Sequence, residues 1–275
     1  MTPPGTARIH LLPAKAAPFA AVIRRKPSKC FHIIRWNTVT GALEHGSWFQ
    51  GKLYPLESDV SHDGRWMVYS ALGARGQTWS GLCELPWLQT VVERKAPLIL
   101  GCGGFWPAAD ELRLGGWTSE EEPSVPLPFR LTKDQSHERL LYQRMQRDGW
   151  RRSGPSGTGH ETGNPYGSIV PPPDDPGWVW RFSKSHPALR CHYMGYLEHG
   201  CTFRFGLDTF PDLLDERVEW ACWDCTGALL VARAGSIARY TLADLATGTP
   251  SYAVSLEGLE PRKAAAPGAH DDEVR

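Results

Sequence analysis

The chain has 275 residues, among them 28 Gly, 23 Pro and 12 Trp, and its 30 Lys plus Arg balance 30 Asp plus Glu. Gly plus Pro stays below the share at which low-complexity disorder takes over, and 41% hydrophobic residues leave ample material for a core. Balanced charge excludes wholesale phosphate neutralisation, and no apolar stretch has the length of a membrane helix, so neither a nucleic-acid partner nor a membrane is expected.

In chain order, residues 1–18 carry no secretory pattern, because Lys15 and Pro18 interrupt the first apolar segment. They are read as an arm ahead of a single domain over 19–260, in a soluble, cytoplasmic protein. From Phe19 the chain reads as strand after strand: 19–24 and 30–36 around a Lys-Pro-Ser-Lys turn, then 42–49 after Thr40-Gly41. Ser61-His62-Asp63-Gly64 is a turn ahead of a strand over 65–70, and further strands are read at 77–83, 98–106 and 111–114. Residues 86–95 predict one short helix, with Pro86 in its first turn and Pro97 beyond its end. Residues 135–146 admit a helix, yet the Asp148-Gly149 pair that follows favours a strand over 138–146 entering a hairpin. Later strands are read at 178–183, 189–197, 201–207, 217–223, 228–234 and 237–242. Between them, 152–177 is a Gly/Pro-rich loop without apolar periodicity, of a length that is usually functional in compact domains. The tail, 261–275, is expected to be disordered. Two basic clusters, Arg24, Arg25, Lys26 and Lys29, and Arg144, Arg147, Arg151 and Arg152, are read as solvated strand ends or turns.

Two internal similarities organise these strands. Ile34-Arg35-Trp36, then Thr40-Gly41, is echoed by Ile237-Ala238-Arg239-Tyr240, then Thr247-Gly248. Ser61-His62-Asp63-Gly64 with its following strand is echoed by Trp223-Asp224-Cys225-Thr226-Gly227 with its own, and more loosely by 106–114. Ser61-x-Asp63-Gly64-x-x-Met67-Val68-Tyr69 resembles the turn and strand of WD40-like and TolB-like β-propeller blades, and the Thr-Gly pairs resemble the outer turn of such blades. His62 stands where that pattern has Pro, and Trp223-Asp224 falls at the turn rather than closing a blade. The resemblance implies an all-β propeller. Asp63, Asp110 and Asp224 lie 47 and 114 residues apart, which suits about five irregular four-stranded blades. An antiparallel sandwich or open barrel is the alternative. In a propeller each blade packs flat on the next, with large rings such as Trp between them.

Four groups of residues are candidates for chemistry. Cys222-x-x-Cys225 lacks a second ligand pair at zinc spacing and sits on a strand and turn, so two structural cysteines are expected and no metal or other cofactor. The seven scattered cysteines do not suggest a disulfide framework. Gly101-Cys102-Gly103-Gly104 is followed by no helix, so the crowding of two backbones explains it better than a phosphate loop. His160 and Glu161, with Asn164 and Tyr166 nearby, could supply acid–base groups or partner contacts from the long loop. The fourth group is His160, His186, His192 and His199, any of which could meet a carboxylate near a propeller axis in a hydrolase or lyase. No nucleophile elbow, Walker or Rossmann fingerprint occurs. The function expected is therefore recognition of a protein or small ligand through loops at one end of the blades, with a partner-neutralising role of the immunity type among its forms.

Overall fold

A computed structural model describes residues 5–73, 76–96, 103–115, 125–133, 140–153, 177–197 and 200–261. β1 (Arg8–Pro13), β2 (Phe19–Arg25), β3 (Cys30–Asn37) and β4 (Leu43–Gln50) make the first antiparallel blade, in that order. β2 and β3 are nearly continuous apolar runs because neighbours cover both their faces. In the second blade, β5 (Lys52–Leu53) and β6 (Asp59–Val60) pair with one strand, β7 (Trp66–Leu72), at Leu53–Ala71 and Asp59–Val68. They are one inner strand broken by a 3-10 turn over Pro55–Glu57. β8 (Thr78–Glu84) and β9 (Thr90–Ala96) complete it.

The third blade has three strands, β10 (Gly104–Ala108), β11 (Glu111–Leu114) and β12 (Arg130–Lys133), the last parallel to β11. α1 (Leu140–Asp148) follows, then a fourth blade of β13 (Arg151–Arg152), β14 (Trp178–Trp180), β15 (Leu189–Leu197) and β16 (Gly200–Leu207). β17 (Val218–Trp223), β18 (Leu229–Arg233), β19 (Ser236–Tyr240), the short α2 (Leu242–Thr247) and β20 (Tyr252–Ser255) form the fifth. β1 packs against β17 and β18, so the last blade meets the first. The chain is a five-blade β-propeller.

The repeats occupy equivalent places. The Asp turns at 61–65, 109–110 and 224–228 each join the first strand of a blade to its second, ahead of β7, β11 and β18. The Arg-aromatic strands are β3 and β19, each third in its sheet. The indoles do pack between blades: Trp220 lies edge-on to Phe203 and Phe205 of β16, 5.6 and 5.4 Å between centroids, and Trp36 meets Tyr252 at 5.7 Å. Truncating such a buried ring costs about 3–5 kcal/mol.

Several expectations fail. Residues 8–13, assigned to the arm, form β1, whose full register with β2 makes it integral to the first blade. Residues 86–95 give no helix. The β-branched Thr90, Val91 and Val92 lead into alternating burial, and this run pairs with β8 as β9. Residues 140–148 are helical, because Leu140, Leu141, Arg144 and Met145 recur at helical spacing and are buried together. Gly149, at φ +106°, ends that helix rather than turning a hairpin. Trp150 N–H bonds to the Met145 carbonyl and Gly149 N–H to that of Gln146, a Schellman closure. Thr247-Gly248 likewise caps α2, with Gly248 left-handed, so the outer turn of the fifth blade is a helix where that of the first is tight. Nor are the basic clusters solvated throughout: Arg24 and Arg144 are buried, as is the Arg147 side chain, while Lys29 and Arg151 are exposed. Residues 154–176 and 262–275 lie outside the described residues.

Candidate functional site

α1 stands in the axis of the ring. Its Arg147 reaches both carboxylate oxygens of Asp59 on β6, and its Nη1 also donates to the Trp106 carbonyl at 3.0 Å. Asp59 Oδ2 accepts the Trp106 amide N–H at 3.0 Å as well, so one buried carboxylate ties β6, β10 and α1 together. Arg147 Nε donates to Asp148 at 2.8 Å. Arg144 Nη1 donates to the Pro55 and Ser58 carbonyls, freed for it by the break between β5 and β6. Lys15 Nζ donates to the Arg147 carbonyl at 2.7 Å, a cation where the helix dipole favours one. The space left, between Leu11, Asp59, Arg144, Trp150, Trp180 and Cys222, is a cavity of about 20 Å³. That has room for one or two water-sized groups and not for an organic substrate.

Around the end of the axis where α1 finishes, the turns of neighbouring blades are hydrogen-bonded to each other. His186 Nε2–H donates to the Gly227 carbonyl at 3.1 Å, joining the fourth blade to the fifth. Thr38 Oγ1–H donates to Asp224 Oδ2 at 2.8 Å, joining the fifth to the first. Ala16 N–H donates to the His62 carbonyl at 2.8 Å, and Arg35 Nε to that of Gly64 at 3.0 Å, joining the first to the second. His62 Nε2–H then reaches the Trp106 carbonyl of the third at 3.3 Å. At this end stand three exposed apolar side chains, Val39 (57% exposed) and Phe182 (39%) on those turns and Leu242 (40%) at the start of α2. They belong to the first, fourth and fifth blades, which are consecutive around the ring. Together they make an arc of projecting apolar groups at one end of the ring.

The structure distributes the sequence candidates. Cys222 is buried beside the axial cavity, and burial raises its thiol pKa well above the usual range, with Asp148 and Asp224 adding to the shift. Cys225 lies on the Asp224 turn, partly exposed, its pKa also raised by burial first. Among the described residues no three His, Cys, Asp or Glu side chains group as metal ligands. His186 is occupied at both nitrogens, taking the Ser183 hydroxyl on Nδ1 at 2.7 Å. His192 sits on β15 beside Gly177. His160, Glu161, Asn164, Tyr166 and His199 lie outside the described residues, as do Gly101 and Cys102. At Gly103 and Gly104 an added Cβ would stand 1.8 Å from the Glu57 carbonyl oxygen and 2.4 Å from that of Arg113, so crowding is their reason.

The axial network was missed because its members look like surface residues. Arg144 and Arg147 carried a signal only through the helical spacing of Leu140, Leu141, Arg144 and Met145. The exposed arc has no sequence signal, since single apolar residues in turns are ordinary. No protein-family model, curated protein or solved structure matches this chain. The propeller therefore rests on strand order and register, and no helix among the described residues is long and apolar enough to cross a membrane.

Proposed function

We propose that this propeller is a protein-interaction module in the cytoplasm that binds its partner through the end bearing Val39, Phe182 and Leu242. The observation that carries the reading is the contrast between the axis and the end of the ring where α1 finishes. The axis is filled by α1 and its ion pairs, whereas the arc presents three exposed apolar side chains, two on turns bonded between blades and one at the start of α2. Blade turns of the WD40-like and TolB-like kind, which Ser61-x-Asp63-Gly64 resembles, suit such a scaffold. Pre-ordered turns lower the entropic cost of association, and apolar groups projecting from them supply the central contacts.

The reading is tested by affinity purification from the native cell with the wild type and a Val39→Asp, Phe182→Asp, Leu242→Asp triple variant. The wild type is expected to retain a stoichiometric protein that the triple variant loses, while both melt within a few degrees of each other. A partner held equally by both would overturn the assignment of this surface.

A further inference from the structure

The opposite end of the first blade has a different chemistry, independent of the apolar arc. Arg8 and Arg25 are register partners at the end of the β1–β2 pair, so their side chains leave the same face, with Cβ atoms about 5 Å apart. Like charges directly opposed in this way destabilise an antiparallel pair. Both are half-buried, and neither has a hydrogen bond or ion pair among the described residues. The carboxylate that bears on Arg25 is Glu219 of β17, whose Oε2 already accepts the Ile9 amide N–H at 2.7 Å. Burial, then Arg8, lowers the Arg25 pKa. Among the described residues, one carboxylate against two guanidiniums leaves the place short of negative charge.

Two further groups stand inward of the pair. His10, two residues along β1 and so on the same face as Arg8, lies against Trp220 at 4.0 Å between rings, and its Nε2 is buried without a partner. Burial and the charge of Arg144 keep it neutral. Arg144 is 5% exposed, and its Nη2 also has no partner. Unpaired donors in a desolvated place cost stability, which a fold retains where a ligand completes them.

We propose that Arg8 and Arg25 are a binding site for a phosphate group, with the Nε2 of His10 as its inner contact. A guanidinium fork pairs with carboxylate and phosphate alike, but two forks and an imidazole offer donors to more than two acceptor oxygens, which a phosphate group supplies, and its negative charge makes up what Glu219 leaves short. The phosphate group comes from inorganic phosphate or from a small phosphomonoester.

The test is isothermal titration of the full chain at constant ionic strength, with inorganic phosphate in one arm and glycerol phosphate in the other. One site per chain is expected in at least one arm, and the stronger arm identifies the source. Arg8→Met and Arg25→Met are each expected to weaken binding at least tenfold, and Arg130→Met, on an exposed ion pair of the third blade, to leave it unchanged. Without phosphate, Arg25→Met is expected to melt at or above the wild-type temperature, since it removes a repulsion, whereas a structural arginine would lower it. No saturation in either arm up to 20 mM would overturn the proposal. So would equal binding by all three variants, or a clearly lower melting temperature for both Arg8→Met and Arg25→Met.

Discussion

Thr38 and Asp224, 186 positions apart, are joined by a hydrogen bond of 2.8 Å at the seam where the last blade meets the first. Both are buried, and Asp224 Oδ1 meanwhile takes the Thr226 amide, the Thr226 hydroxyl and the Ala228 amide. One carboxylate thus shapes its own turn and closes the ring. A buried hydrogen bond to a charged group contributes about 1.5–3 kcal/mol, so Thr38→Val is expected to lower unfolding stability in urea by about 2 kcal/mol. Asp224→Ala, which also releases the turn, is expected to cost more. Equal stability of Thr38→Val and wild type would place ring closure elsewhere.

The axial ion pair is a second point of leverage. Asp59 and Arg147 are almost wholly buried, and removing one member leaves the other uncompensated, which typically costs about 3–5 kcal/mol. Arg147→Met is expected to fall in that range by chemical denaturation. Combining it with Asp59→Asn is expected to cost less than the sum of the two, because the pair is removed together. Strict additivity would show that the two do not act as a unit.

Acidification provides a third test. Burial lowers the pKa of His32 to about 4, although its Nδ1–H is held by the Ser47 carbonyl, and burial also lowers those of His10 and His62. The unfolded chain takes up these protons near pH 6.5, so it binds more protons than the native state below that pH. Stability is therefore complete above about pH 6.5 and is lost as the pH falls toward about 4. His32→Phe, which keeps the stack on Trp48, is expected to show a smaller drop in melting temperature between pH 7 and pH 4.5 than the wild type. An equal drop would remove His32 from the account.

Gly103 tests the crowding at the start of the third blade. It combines φ +89° with a carbonyl oxygen where its Cβ would be, so Gly103→Ala is expected to cost about 3 kcal/mol. Gly258→Ala, with open space around it, is expected to stay within about 0.5 kcal/mol of wild type. Matching stabilities for the two variants would contradict the close approach of Gly103 to Glu57.

The blade pattern was legible because it is local. An Asp turn followed by an apolar strand repeats at 61–69 and 223–231, and one turn's chemistry suffices to show it. The Arg-aromatic strands at 34–36 and 237–240 were legible for the same reason. What was misread depends on partners far away in the chain. Residues 8–13 become a strand through β2 on one side and β17 on the other. Asp148-Gly149 belongs as readily to a helix end as to a hairpin, and only the packing of Met145 and Trp150 in the axis decides between them. Arg144 and Arg147 look like solvent-facing charges until the break at 55–58 supplies carbonyls and Asp59 a carboxylate. The exposed arc likewise arises only when the ring closes, and the Arg8–Arg25 pair only when β1 docks on β2.

The most direct test of the central claim places a photo-crosslinking amino acid at single positions in the native cell. Substitution at Val39, Phe182 or Leu242 is expected to give the same protein adduct, and substitution at the exposed Lys29 or Ser28, at the other end of the first blade, to give none. Adducts at positions 28 and 29 with none at 39, 182 or 242 would contradict it.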